Sequence, residues 1–274
     1  MGVFRKGTGR KKAAAALLIL ALLLAAALDT RLRTAAYTVV SGRMGTPVRL
    51  AVLTDLHSCS YGENQETLLR AVEEQAPDAV VLAGDIVDDV LPEENAWTTV
   101  SALAEAYPCL YVTGNHEYWS GEADRICAAM EALGVLVLRG SVVSLELGGQ
   151  RLQFCGVDDP DSGQAVRQLE QVGERLGQDV SILLAHRPEA IQDYLQYPFD
   201  LILSGHAHGG QWRIPGLLNG LYAPNQGLLP QYAGGRYDFE NAALIVSRGL
   251  ARESTSIPRI FNRPELVIVD LLPA

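Results

Sequence analysis

The stretch "VRLAVLTDLHS", residues 48–58, runs from an apolar segment into a carboxylate and an imidazole two positions apart. Val48 to Leu53 reads as a β-strand. Residues i and i+2 of an extended chain point to one face, so Asp55 and His57, at or just past the strand's end, can aim at a common point. A carboxylate and an imidazole are ligands that a chain offers to a divalent cation. A turn aspartate followed by a surface histidine is the plainer reading of the pair alone, and the remainder of the sequence must decide between them.

Working outward, the pattern of a strand followed by a helix repeats. Helical periodicity appears over 63–75, with Leu68, Leu69 and Val72 on one side, and then over 95–107 and 122–134, the last ended by Gly134. Between and beyond these lie the apolar runs "DAVVLAGD" (78–85), "PCLYVTGNH" (108–116), "DVSILLAHRP" (179–188) and "FDLILSGHAHGG" (199–210). Strands this uniformly apolar belong in sheets covered on both faces. A hairpin around Gly148-Gly149, with late strands in "NAALIVSRGL" (241–250) and "PELVIVDLL" (264–272), makes the sheets mixed rather than purely parallel. The fold class is α/β, in layers.

The N-terminus differs in composition. Arg5, Lys6, Arg10, Lys11 and Lys12 precede Ala13–Leu28, which contains only Ala, Leu and Ile. At 1.5 Å per residue such a run falls slightly short of a typical span of about 20 residues. The expectation is an uncleaved transmembrane signal anchor over 1–29, with secretion after cleavage and a buried or interfacial helix as alternatives. Cationic excess before the run predicts a single-pass protein whose bulk lies outside the cytoplasm. Residues 30–46 read as a polar linker and 47–274 as the catalytic domain. Net charge is −10, which argues against a nucleic-acid polymer as partner. The four cysteines form no C-x-x-C pair, so a thiolate zinc site is not expected.

Five strand ends carry polar groups able to bind a cation: Asp55 and His57; Gly84-Asp85-Ile86-Val87-Asp88; Gly114-Asn115-His116-Glu117; His186; and Gly205-His206-Ala207-His208. All five histidines of the chain fall at these ends. In open α/β sheets, ligands bind beyond the carboxyl ends of strands. Gly84, Gly114 and Gly205 leave room there for tight turns or a close backbone approach. Each motif alone is weak; the ordered set is not.

On those residues the chain resembles the calcineurin-like metallophosphoesterases over about residues 47–270. "SGHAHGGQWRIPG", "LYAPNQG", "VSRGL" and "NRPEL" are similar to the bacterial membrane-associated branch, which includes pyrophosphohydrolases acting on UDP-diacylglucosamine. The resemblance implies a four-layer α/β/β/α sandwich and two divalent metals. Asp55, His57, Asp85 and His208 would hold one metal; Asp85, Asn115, His186 and His206 would hold the other, with Asp85 bridging. Seven nitrogen and oxygen ligands without a thiolate suit Mn, Fe or Zn. Such a pair can clamp a phosphoryl group and activate a bridging water for attack. The resemblance makes His116 the general acid for the leaving oxygen. Asp88 would orient His116 or a metal ligand, or else act as a helix cap. The expected substrate is a phosphorylated small molecule or a lipid-linked phosphate. A rival is a diesterase or pyrophosphohydrolase of a nucleotide-sugar or lipid at the cytoplasmic face; another is a surface binding protein whose metals are structural. Trp212 reads as packing or as a platform for a lipid or base. Arg213, Arg236 and Arg248 read as surface charges that could also neutralise phosphate.

Overall fold

A computed structural model of the chain describes residues 7–254 and 257–274, with side chains from residue 11 onward; the cationic Arg5 and Lys6 lie outside the described residues. The strands are β1 (Arg33–Ser41), β2 (Val48–Leu53), β3 (Ala79–Ala83), β4 (Cys109–Val112), β5 (Leu136–Val137), β6 (Ser141–Leu147), β7 (Gln150–Gly156), β8 (Val180–Leu184), β9 (Leu201–Ser204), β10 (Tyr222–Ala223), β11 (Gly227–Leu228), β12 (Gly235–Asp238), β13 (Ala243–Val246) and β14 (Glu265–Pro273). The helices are α1 (Gly7–Ala27), α2 (Glu66–Glu73), α3 (Glu94–Ala106), α4 (Asn115–Trp119), α5 (Ala123–Ala132), α6 (Ala165–Gly173) and α7 (Ile191–Tyr194).

Two six-stranded mixed sheets form, in the orders β1-β14-β2-β3-β4-β5 and β12-β13-β9-β8-β7-β6. Strand alternation divides the apolar side chains between layers. Val48, Leu50 and Val52 of β2 face Phe154, Ile182 and Leu203 of the second sheet in a central core. Ala51 and Leu53 face the other way, against Leu68, Val100 and Ile126 of α2, α3 and α5. On the far side, Leu169 and Val172 of α6 and Tyr194 of α7 cover Leu183 and Ile202. The result is the expected α/β/β/α sandwich, and it explains why β2, β3, β8 and β9 are apolar on both faces. The expected hairpin is also present, pairing Leu147 with Gln150 across Gly148 and Gly149, both at positive φ. All four cysteines are buried and free, as small core hydrophobes.

Two expectations need correction. Residues 30–46 are not a linker: β1 occupies 33–41 and pairs in parallel with β14, from Arg33 opposite Glu265 to Ser41 opposite Pro273. As an edge strand it buries only Ala35 and Val39 firmly and leaves Thr34, Ala36, Thr38 and Val40 exposed, which made it look polar. The N-terminal transmembrane helix is not found either. Among the described residues no helix is long and apolar enough to cross a membrane. Lys11 and Lys12 lie within α1, and its apolar part, Ala13 to Ala27, extends only about 22 Å against roughly 30 Å of hydrocarbon. Only its end is docked, with Ala27 buried; Leu17, Leu18, Ile19, Leu20, Leu22 and Leu23 are each more than half exposed.

Candidate metal centre

The loops leaving β2 and β3 continue the pairing of their strands. The Asp55, His57 and Ser58 amides donate to the carbonyls of Gly84, Asp85 and Ile86, at 3.0, 3.0 and 3.1 Å. This holds Asp55, His57 and Asp85 side by side at the sheet edge. The second sheet reaches over to meet them. The His206 amide donates to Asp55 Oδ1 at 2.9 Å, and His186 Nε2 lies 3.0 Å from Asp85 Oδ2. Asp55, His57 and His208 place donor atoms within 4.8 Å of one another, and so do Asp85, His186 and His206. All these residues are buried, as is Asn115 at the start of α4. Every predicted ligand therefore reaches one edge where the two sheets meet.

The backbone is forced to do this. Asp55, His57, Asp85, His206 and His208 all adopt left-handed φ, between 46° and 63°. This region disfavours side chains with a Cβ, and its occupation by non-glycine residues concentrates at functional sites. Gly84 and Gly114 are required sterically. A Cβ on Gly84 would stand 2.4 Å from His186 Nδ1, and one on Gly114 would stand 2.2 Å from Asp85 Oδ1.

Side chains around the edge fix which atoms face inward. His57 Nδ1 pairs with Asp88 Oδ1 at 2.8 Å, His186 Nδ1 donates to the Ala83 carbonyl at 2.8 Å, and His206 Nε2 meets Asn225 Oδ1 at 2.8 Å. Partners of this kind set the tautomer and aim of metal-binding imidazoles. The atoms left over are the ones a cation would use. His57 Nε2, Asp85 Oδ2, Asn115 Oδ1, His186 Nε2 and His208 Nδ1 are all buried without a hydrogen-bond partner. Buried polar atoms are rarely left so, and five at one edge fit a bound cation.

The charges of the site agree. Burial raises the Asp85 carboxyl, but His186 beside it outweighs this and holds it well below the usual range. Burial opposes charge on His186, yet Asp85 and then Asp55 push its imidazole up to about 10. His206 and His208 are driven down, to about 4 and about 3, first by burial; they are neutral ligands at physiological pH. Proton and cation thus compete for His186 Nε2, and metal binding must release a proton there.

His116 sits on the open side, tilted against the exposed Trp119 with ring centroids 4.7 Å apart. Its Nδ1 pairs with Asp89 Oδ1 at 2.6 Å and lies 3.4 Å from Asp88 Oδ1. Burial lowers its pKa, but the Asp88 hydrogen bond, the Asp85 charge and Asp89 together raise it to about 9. Asp88 meets the reading as an orienting residue and not the one as a helix cap. Oδ1 serves the two histidines, while Oδ2 accepts the amides of Val90 and Leu91, a turn rather than a helix cap because α3 begins only at Glu94.

Several supporting roles are not legible in the sequence, that of Glu117 among them although its strand end is. Glu117, wholly buried, accepts four backbone amides: Ile86 and Val87 on Oε1, Asp85 and Gly114 on Oε2. Asp89 holds His116, and Arg187 is locked bidentately on Asp159 at 2.7 and 2.8 Å, just after His186. Asn225 and Asn262 lie in "LYAPNQG" and "NRPEL". Asn225 orients His206, and Asn262 Nδ2 donates to the His208 carbonyl at 2.8 Å, so those segments were the available signal.

With this edge described, comparison with known proteins is decisive. The family model of the calcineurin-like phosphoesterases matches residues 48–210. The chain belongs to that family. It is a metal-dependent phosphoesterase, similar to an uncharacterized metallophosphoesterase of Aquifex aeolicus at 30% identity, covering 88% of this chain and 92% of the relative. It is also 27% identical to the phosphodiesterase YaeI of Escherichia coli, over 82% and 83% of the two chains. Among solved structures, TT1561 of Thermus thermophilus shares the fold, with a TM-score of 0.52, 14% identity, and coverage of 75% of this chain and 91% of that one.

Proposed function

We propose that the protein hydrolyses phosphoester or pyrophosphate bonds with two divalent cations. Asp55, His57, Asp85 and His208 hold one, and Asp85, Asn115, His186 and His206 hold the other. The observation that carries this reading is the set of five buried donor atoms without a hydrogen bond at one sheet edge, two of which, His186 Nε2 and Asp85 Oδ2, face each other at 3.0 Å. Nitrogen and oxygen donors without a thiolate favour Mn, Zn or Fe. When bound, two such cations supply Lewis acidity toward the phosphoryl oxygens and lower the pKa of water.

The chain's own residues do the rest. Asp89 and Asp88 hold His116 at Nδ1 and keep its ring protonated at neutral pH, leaving the proton on Nε2 for the departing oxygen. Asp88 is a positioning residue, joining His57 and His116 through one oxygen. The substrate is a phosphorylated small molecule or a lipid-linked phosphate, and the name of the E. coli relative puts phosphodiesters first among those to screen. The exposed apolar α1 favours attachment to a membrane surface.

Metal analysis joined to turnover tests the reading. Nitrophenyl phosphate esters should be cleaved with added Mn²⁺, and Asp85→Asn should lose both metal equivalents together. Loss of one equivalent would remove the bridging role; two equivalents without turnover on any monoester, diester or pyrophosphate would leave a binding protein.

A further inference from the structure

Arg213 and Arg248 read as surface charges in the sequence, but the fold buries them. Arg213 is only 9% exposed and the Arg248 side chain 16%. With Arg33 they line a cavity of about 480 Å³ that no acidic residue lines. Among the described residues, one carboxylate is within ion-pair distance of these guanidinium groups. The buried Glu265 lies 3.3 Å from Arg33 and 3.4 Å from Arg248. Among the described residues the Arg213 guanidinium has only neutral partners, the Gly209 carbonyl and Asn219 Oδ1. Two of the three cations therefore share one anion, and among the described residues the third has none within ion-pair distance, in a protein whose net charge is −10. Burial and then the adjacent Arg248 pull Arg213 down to about 10, a sign of uncompensated positive potential.

The rim is of the opposite character. Leu217 is 81% exposed and Ile214 50%. Phe261, also lining the cavity, donates its amide to the Ala27 carbonyl at 2.7 Å, so the cavity lies at the foot of the exposed apolar helix α1. A soluble phosphate would use the arginines alone, whereas a lipid would use the arginines, the rim and the helix together.

We infer that this cavity, separate from the metal centre, binds the anionic phosphate headgroup of a membrane lipid, whose acyl chains lie along Leu217, Ile214 and α1. The inference rests on the membrane-surface part of the proposed function. Anion binding by guanidinium groups gives the specificity; the apolar rim and helix give attachment that does not depend on charge.

Flotation of the full chain with phosphatidylcholine vesicles, and with vesicles that also contain phosphatidylglycerol, tests it. Binding to neutral vesicles reports attachment through α1, and the extra binding to anionic vesicles reports the cavity together with the cationic N-terminus. Arg33→Gln and Arg213→Gln should each reduce the anionic increment about five-fold, the effect of one basic residue at a charged surface, and leave neutral binding unchanged. Arg33 is the less buried of the two, so it serves if Arg213→Gln fails to give the parent's thermal transition. An undiminished increment in a folded variant assigns it to the N-terminus and overturns the site. Equal displacement from both vesicle types by millimolar inorganic phosphate would make the ligand a free anion and overturn it too. No flotation with either vesicle, with phosphatase activity intact, would end the membrane reading and this inference together while sparing the hydrolase.

Discussion

Glu117→Gln tests whether the metal edge is held by its own backbone. Both Glu117 oxygens accept two amides each, from Ile86 and Val87 and from Asp85 and Gly114. Whichever oxygen the amide nitrogen replaces, two buried N–H donors then face another donor. An unmade buried hydrogen bond costs about 1–3 kcal/mol, so the gross loss is about 2–6 kcal/mol. One effect opposes it. Burial first, and then the Asp85 charge, raise the Glu117 carboxyl above its ordinary 4.5, so its ionisation costs stability as pH climbs past that value. Glutamine removes that cost, which leaves an expected net loss of about 1–4 kcal/mol at neutral pH. Urea unfolding measures it, and metal content should fall in parallel because Asp85 sits at one of the freed amides. A loss below about 0.5 kcal/mol with full metal content would refute the reasoning, since the loop would then need no carboxylate to hold it.

Asp88→Asn should weaken metal affinity or turnover by about 10–100-fold through His57, with Asp85 and its neighbours unchanged in fold; equilibrium dialysis with Mn²⁺ measures it. The raised pKa of His116 means that its proton, and the stability gained from its carboxylate partners, are present below its unfolded value and lost as pH rises through about 9. Bound cations move that alkaline limb downward. Asp89→Asn should move it lower still in a pH–rate profile on an alkyl phosphate, and an unmoved limb would deny His116 the role of acid. Gly84→Ala places a methyl 2.4 Å from His186 Nδ1 at a φ of +87°. Left-handed strain and overpacking together should destabilise by about 2–5 kcal/mol, read as a lowered thermal transition with metal loss.

The central strands and the metal ligands were legible because both signals are local. β2, β3, β8 and β9 are short apolar runs, and each ends in the residues that the site uses. β1 was not legible: an edge strand exposes alternate residues, and Arg33 to Ser41 carries its polar ones there. Nor was the role of Glu117, because four amide partners on two loops are a tertiary fact that the adjacent "GNHE" only hints at. Asp89 looks like any exposed acid until His116 is folded beside it. The burial of Arg213 depends on the turn after His208 folding back on itself, and nothing in the sequence nearby reports that. The apolar block of α1 is legible as apolar and as slightly short of a span; the expected transmembrane anchor fails because Lys11 and Lys12 fall inside the helix and only Ala13 to Ala27 of it is apolar.

The position of β14 governs when the molecule can exist at all. β1 pairs with no strand but β14, and β14 lies between β1 and β2, so the first sheet stays open until the chain's last strand is inserted. Arg33 and its partner Glu265 are 232 positions apart, a difference of 265 − 33. At ribosomal speeds of about 5–20 residues per second, roughly 12–46 s pass between them. During that interval β1 has no strand to pair with and β2, though it can pair with β3, keeps its other edge open, so the nascent chain carries unpaired strand edges that favour aggregation.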